Sequence, residues 1–348
     1  MGRRLRWWAL VGVVAVALTS CASSSPAPTP RVQGATSSYG PPSDPTPYRK
    51  AINVAAANGL DVWLDADLAG RWRAGSAAFS AGVQQIGLLA TSPAVKGVRV
   101  ANELGQSDLW WTPSRMQEFL ADTDKALNRI ARHDVPLGVD FVLPELGCLP
   151  GSDIPQATAC AEQARTDEPG TALTSIDALV AAGHLDRLII GANLHSDSQY
   201  VGWGSSEAEA ADLAWAEVQR RDWASTVDVQ PRRALSFPLP YPESAAAAAA
   251  LPVALDAPMQ NGITGADVWI WQRQYDGQRV GLLTPVGKNG GGTTGAGNPL
   301  WAGLRDRTDQ GMTLYTHFSP STMRRSLAQD MKTLSTVFDG VYIAGGTG

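Results

Sequence analysis

From about residue 48 onward, short apolar runs built like β-strands alternate with longer stretches in which apolar residues recur at helical spacing. Such alternation predicts strand–helix units and a parallel sheet. Strands are predicted over 60–67, 97–103, 136–143, 185–193, 233–239, 266–273, 312–319 and 339–344. Helices are predicted between them over 77–89, 115–133, 205–223 and 321–337, with a short alanine-rich one over 243–251. The helix at 115–133 follows Thr112-Pro113-Ser114, a start signal. Eight strands in about 300 residues match a (β/α)8 TIM barrel with extended loops. An open doubly wound sheet would carry a Gly-rich dinucleotide turn after its first strand, and none is present.

Alternation inside the strands adds a second layer. Barrel strands turn one face to the helices and the other to the barrel interior. In the first strand Val62, Leu64 and Ala66 share a face, leaving Trp63, Asp65 and Asp67 to point inward. In the second, Val98 and Val100 oppose Arg99, Ala101 and Glu103; in the third, Leu137, Val139 and Phe141 oppose Gly138, Asp140 and Val142. The seventh sets Tyr315 and His317 against Leu314 and Thr316. The inward sets thus carry Asp65, Asp67, Arg99, Glu103, Asp140 and His317. Buried charges must be paired or hydrogen-bonded, so these side chains are expected to face one another near one mouth of the barrel.

The segment Val95-Lys-Gly-Val-Arg-Val-Ala-Asn-Glu-Leu-Gly105 contains the second predicted strand, which closes on the pair Asn102-Glu103 before a turn glycine. An Asn-Glu pair closing a barrel strand resembles the acid/base motif of clan-A glycoside hydrolases. The resemblance covers Arg99 to Gly105 and the barrel rhythm. It implies a glycoside hydrolase acting on a cell-wall or environmental polysaccharide, with Glu103 as the acid and Asn102 contacting the sugar. That clan carries the pair on its fourth strand and a nucleophilic Glu on its seventh; here the pair closes the second, and no Glu ends the seventh. Glycoside hydrolysis takes two carboxyls flanking the bond, and Asp65 or Asp140 could partner Glu103. The alternative is that Glu103 pairs with Arg99 as a buried structural ion pair. The alternative function is a non-catalytic glycan-binding or scaffold protein with a degenerate site.

Tryptophan adds to the carbohydrate expectation, because a flat apolar ring with a polar handle suits a sugar face. Trp110 and Trp111 follow the second strand, and Trp271 lies on the sixth. These three are expected to contact ligand, whereas Trp215, Trp223 and Trp269 are read as core. Asp67, Arg99, Tyr315 and His317 complete the expected binding set. His195 and Asn193, after the fourth strand, are further candidates. No Gly-x-Ser-x-Gly elbow occurs, and the four histidines show no metal-ligand spacing, so no cofactor or metal is expected.

The N-terminus reads as an address. Arg3, Arg4 and Arg6 precede an apolar run over 9–18, shorter than the roughly 20 residues of a membrane-spanning helix. The run ends in Leu18-Thr19-Ser20-Cys21, which resembles the lipobox of bacterial lipoproteins. The resemblance implies cleavage after residue 20, a lipid on Cys21, and attachment to the extracytoplasmic face of the cell membrane. Residues 21–47, rich in Ser, Pro and Thr, would be a tether, and 48–348 the barrel domain. Loss of residues 1–20 removes three of 28 basic residues against 33 acidic ones. The mature chain is then acidic, and nucleic acid is not expected as a partner. Cys148 and Cys160 remain and are expected to form a disulfide across a loop containing Pro150, Gly151 and Pro155.

Overall fold

Eight parallel strands close into a barrel. They are β1 (Asp61–Asp65), β2 (Val95–Ala101), β3 (Leu137–Val142), β4 (Arg187–Gly191), β5 (Val227–Val229), β6 (Gly265–Val268), β9 (Thr313–Phe318) and β10 (Gly340–Ala344). An antiparallel hairpin, β7 (Arg273–Tyr275) with β8 (Gln278–Val280), lies between β6 and β9 in sequence and outside the barrel ladder. The order around the barrel is β1-β10-β9-β6-β5-β4-β3-β2, each strand parallel to both neighbours. The fold is a TIM barrel. The computed structural model describes residues 44–106, 108–231, 244–268, 273–275, 278–280 and 298–344.

The outward face of each strand holds the helices. Val62 and Leu64, Val98 and Val100, Val139 and Phe141, Leu188 and Ile190, and Val341 and Ile343 are all buried in one continuous core. Opposite them pack helices such as Ser76–Ala90 and Pro113–Ala131, whose buried residues recur at three- and four-residue spacing. Removing one such Val, Leu or Ile side chain from water contributes about 1.5–3 kcal/mol. The helix at Pro113–Ala131 starts where Thr112 Oγ1 accepts from the Arg115 backbone N–H, as the sequence signal predicts. It stops at Arg132, whose left-handed backbone ends the helical run.

The inward face is filled differently. Trp63, Ile189, Tyr315 and Tyr342 form a separate apolar cluster inside the barrel. Bare neighbours make room for them and for the charges: a Cβ on Gly97 would lie 2.5 Å from the Trp63 ring, and one on Gly265 would overlap the Asp228 carboxylate. Arg187 runs through this inner layer, its guanidinium 3.8 Å from the centre of the Tyr315 ring and 4.8 Å from that of Trp63. It forms an ion pair with Asp228. Cations seated against aromatic faces gain most where water is excluded, so this layer closes the lower part of the barrel with packed rings and one pair.

Two strands depart furthest from the sequence expectation. The fifth is Val227–Val229, upstream of the predicted 233–239, which lies outside the described residues. Three residues are too short a run to show alternation, and the preceding helix, Glu207–Gln219, ends four residues before the predicted 223. The sixth is shorter than predicted: β6 covers Gly265–Val268, and Arg273 already belongs to the hairpin.

Candidate functional site

Charged side chains gather at the carboxyl ends of the strands, the end where TIM barrels carry their active sites. Arg99, halfway along β2, is fully buried. Its Nε and Nη2 donate to the two oxygens of Asp65 at 2.9 and 2.8 Å, a bidentate pair across neighbouring strands. Its Nη1 faces Asp140 at 3.5 Å and Asp267 at 3.9 Å. Asp140 also accepts from Gln230 Nε2 at 3.0 Å, just beyond β5. One guanidinium therefore serves three carboxylates from three strands.

His317 on β9 completes the network. Its Nδ1 lies 3.0 Å from Asp65 Oδ2, and its Nε2 lies 2.9 Å from both oxygens of Asp267. A ring with a carboxylate at each nitrogen is satisfied when both nitrogens donate, which is the imidazolium. Burial alone would lower the His317 pKa, but Asp267 and the hydrogen bond to Asp65 outweigh it and raise it. For Asp65, burial works against the charge, yet Arg99 and His317 hold its carboxyl well below the ordinary range. His317 stacks on Tyr342 with ring centres 4.9 Å apart, so the upper charge network rests on the aromatic layer beneath.

Asp67 lies above the network, two residues past Asp65 and half-buried. It accepts from the Gly70 backbone at 3.4 Å. Burial raises its pKa, and the neighbouring Asp65 charge adds to that; backbone N–H groups and Arg99 oppose it. Two carboxyls on one strand end are thus driven in opposite directions, one held ionised and the other toward its acid form.

The other sequence candidates sit as follows. Asn102 and Glu103 lie in the turn after β2, which ends at Ala101; Glu103 has a left-handed backbone and is half-buried. The inward alternation that placed Glu103 beside Arg99 stops at that turn. Trp111 is only 8 % exposed and packs against Trp72 and Phe119, so it belongs to the core rather than to a ligand surface. Trp110 is half-buried, with the guanidinium carbons of Arg73 and Arg115 4.9 and 4.6 Å from its ring centre. Tyr315 lies in the lower aromatic layer, its hydroxyl 3.5 Å from Asp61 at the start of β1, away from the mouth. Trp271 and Cys21 fall outside the described residues. Cys148 and Cys160 form the expected disulfide.

Sequence reading missed Asp267, Asp228 and Gln230. Asp267 was within reach of the alternation rule, since Ala266 and Val268 flank it on the outward face. Asp228 and Gln230 could not be placed while the fifth strand was assigned downstream. Asp65, Asp140 and Asp267 all lie within 3.9 Å of the Arg99 guanidinium, and both His317 nitrogens face carboxylates.

No family model matches this chain, and no curated protein matches it. Among solved structures the chain is similar to the crystal structure of SacUVDE, at 8 % identity and a TM-score of 0.32, over 80 % of this chain and 96 % of that one. The glycoside hydrolase expectation and its partner assignment, carbohydrate with nucleic acid excluded, are corrected on the geometry of the site. Asp65 and Asp140 are 4 % and 0 % exposed and are committed to Arg99, so neither is open to flank a glycosidic bond opposite Glu103. The exclusion of nucleic acid rested on a whole-chain charge, which says nothing of the charge on any local surface.

The network makes stability depend on pH from both sides. A raised His317 pKa contributes stability in full below the unfolded value of about 6.5, and that contribution is lost as pH rises through the folded value. A lowered Asp65 pKa contributes above the unfolded value of about 3.9 and is lost as pH falls through the folded one. Thermal unfolding of wild type and His317→Gln across this range should show the alkaline decline flattened in the variant and the acid decline retained. Equal alkaline slopes would contradict the buried imidazolium.

Proposed function

We propose that this chain is a TIM-barrel enzyme whose chemistry is proton transfer at the carboxyl-end mouth, with Asp67 as the acid–base group. The ionised Asp65–Arg99–His317–Asp267 network is its fixed electrostatic floor. The placement of a half-buried Asp67 two residues past Asp65, which is locked to Arg99 and His317, carries this reading; the opposed pKa directions of the two carboxyls agree with it, as paired carboxyls pushed apart can hold both a permanent charge and a usable proton. As a general acid, Asp67 donates to a leaving atom in the mouth; burial, with the Asp65 charge adding to it, keeps its proton on at higher pH than a free carboxyl would. Buried donors and acceptors that need not reorganise support such a step.

The test is a panel of ester, amide and phosphodiester substrates assayed with wild type and Asp67→Asn, with circular dichroism as a folding control. The expected loss in the variant is roughly 10²–10⁴-fold in rate, and the wild-type rate should fall as pH rises through the Asp67 pKa. Full activity in a folded Asp67→Asn protein, or no turnover of any class by wild type, would count against the proposal.

The N-terminal reading belongs here as well. Arg3, Arg4 and Arg6, the apolar run and Leu18-Thr19-Ser20-Cys21 support cleavage after residue 20, a lipid on Cys21, and a tether to residue 47 that holds the barrel on the extracytoplasmic face of the cell membrane. The Cys148–Cys160 disulfide suits an oxidising compartment. Cys21→Ala should move the chain from the membrane fraction to the soluble fraction; unchanged membrane recovery would sink the anchor.

A further inference from the structure

The loops after β3 and β4 meet at the rim of the barrel and bring together three side chains with metal-binding atoms. Cys148 closes the short turn Pro144–Cys148, Cys160 lies inside the helix Pro155–Asp167, and His195 follows β4. His195 is 35 residues from Cys160 in sequence, so spacing alone does not reveal it. In the folded chain its Nε2 lies 3.4 Å from Cys160 Sγ, and the ligand atoms of all three residues fall within 4.8 Å of one another.

We propose that, when the disulfide is reduced, Cys148, Cys160 and His195 bind a thiolate-preferring divalent cation of the zinc class. Tetrahedral zinc with Zn–S near 2.3 Å and Zn–N near 2.0 Å places N and S about 3.5 Å apart. The histidine and Cys160 already stand at that separation. Once the S–S bond is open, the two sulfurs retreat to ordinary contact, about 3.8 Å, the spacing of two thiolates on one zinc.

The histidine is held for this by the fold. Its backbone N–H donates to Tyr200 Oη at 2.9 Å, and that hydroxyl donates to the Gly147 carbonyl at 2.8 Å, one residue before Cys148. A single buried phenol thus ties the histidine loop to the cysteine turn. Gly147 allows the approach, since a Cβ there would stand 2.5 Å from the Asn193 carbonyl oxygen. The Tyr200 and Trp203 rings wall the imidazole, with centres 5.8 and 5.4 Å away. Placed ligands lose little freedom on binding, and three soft or borderline donors select zinc over hard cations.

The disulfide and the metal exclude each other. A dithiol reductant supplies two electrons and two protons, the S–S bond breaks to two thiols, and the reductant leaves as its own disulfide. Zn²⁺ then displaces the two thiol protons to solvent. A disulfide oxidant would reverse the sequence, taking the two electrons, and two protons from solvent, to become a dithiol while the S–S bond re-forms and the ion leaves, so the rim of the barrel carries either a covalent staple or a metal one.

The test uses the full chain, reduced with a phosphine that is then removed, and titrated with Co²⁺ as a spectroscopic probe. About one equivalent should bind with a thiolate-to-cobalt charge-transfer band, and Zn²⁺ should displace it and raise the unfolding temperature of the reduced chain. His195→Ala should weaken binding by more than about 100-fold, beyond the loss typical of an outer-shell partner, and should abolish the thermal gain. The unreduced chain should give no thiolate band. A reduced wild type without that band, equal affinity in His195→Ala, or a reduced chain that unfolds with or without Zn²⁺ would each overturn the proposal.

Discussion

A fully buried guanidinium organises this protein. Arg99 lies inside the barrel, where an unpaired cation would be far too costly to keep, and three carboxylates from β1, β3 and β6 converge on it. Those carboxylates in turn could not be buried without Arg99 and the His317 imidazolium. The site is therefore a mutual dependency. Desolvation of each charge is tolerated because the others are in place, and the strands that carry them must hold register to within a residue.

The layer beneath explains why such a network can exist at all. Trp63, Tyr315 and Tyr342 fill the lower interior around the Arg187–Asp228 pair, and inward glycines give those rings their room. The barrel is thus sealed below by aromatic packing and polar above. The upper network lies at the carboxyl ends of the strands, and the half-buried Asp67 follows two residues past Asp65. The disulfide and His195 lie apart from this axis, on the rim where the third and fourth loops join, and chemistry there would not draw on the central network.

Much of this was legible in the chain because period-two alternation is a strong signal over five or more residues. It placed Asp65, Arg99, Asp140 and His317 on one interior face, and the structure joins all four. It fails where strands are short or end early. Val227–Val229 is too brief to alternate visibly, and with it went Asp228 and Gln230. Glu103 was read as the last inward residue of β2, but the left-handed backbone at that position turns the chain off the sheet first. Trp111 was read as a ligand contact from its loop position; packing against Trp72 and Phe119 decides otherwise, and pairwise ring contacts are not written in local sequence. The nearness of His195 to the disulfide is likewise a property of two loops meeting, invisible to spacing.

The account rests on Arg99 as the charge that makes the interior possible, and urea unfolding of Arg99→Met tests it most directly. Removing one partner from a buried ionic cluster should cost about 3–5 kcal/mol, and adding Asp65→Asn in the same chain should restore part of that loss, since the two residues are coupled. A loss below about 1 kcal/mol in Arg99→Met, or simple additivity of the two substitutions, would contradict the account.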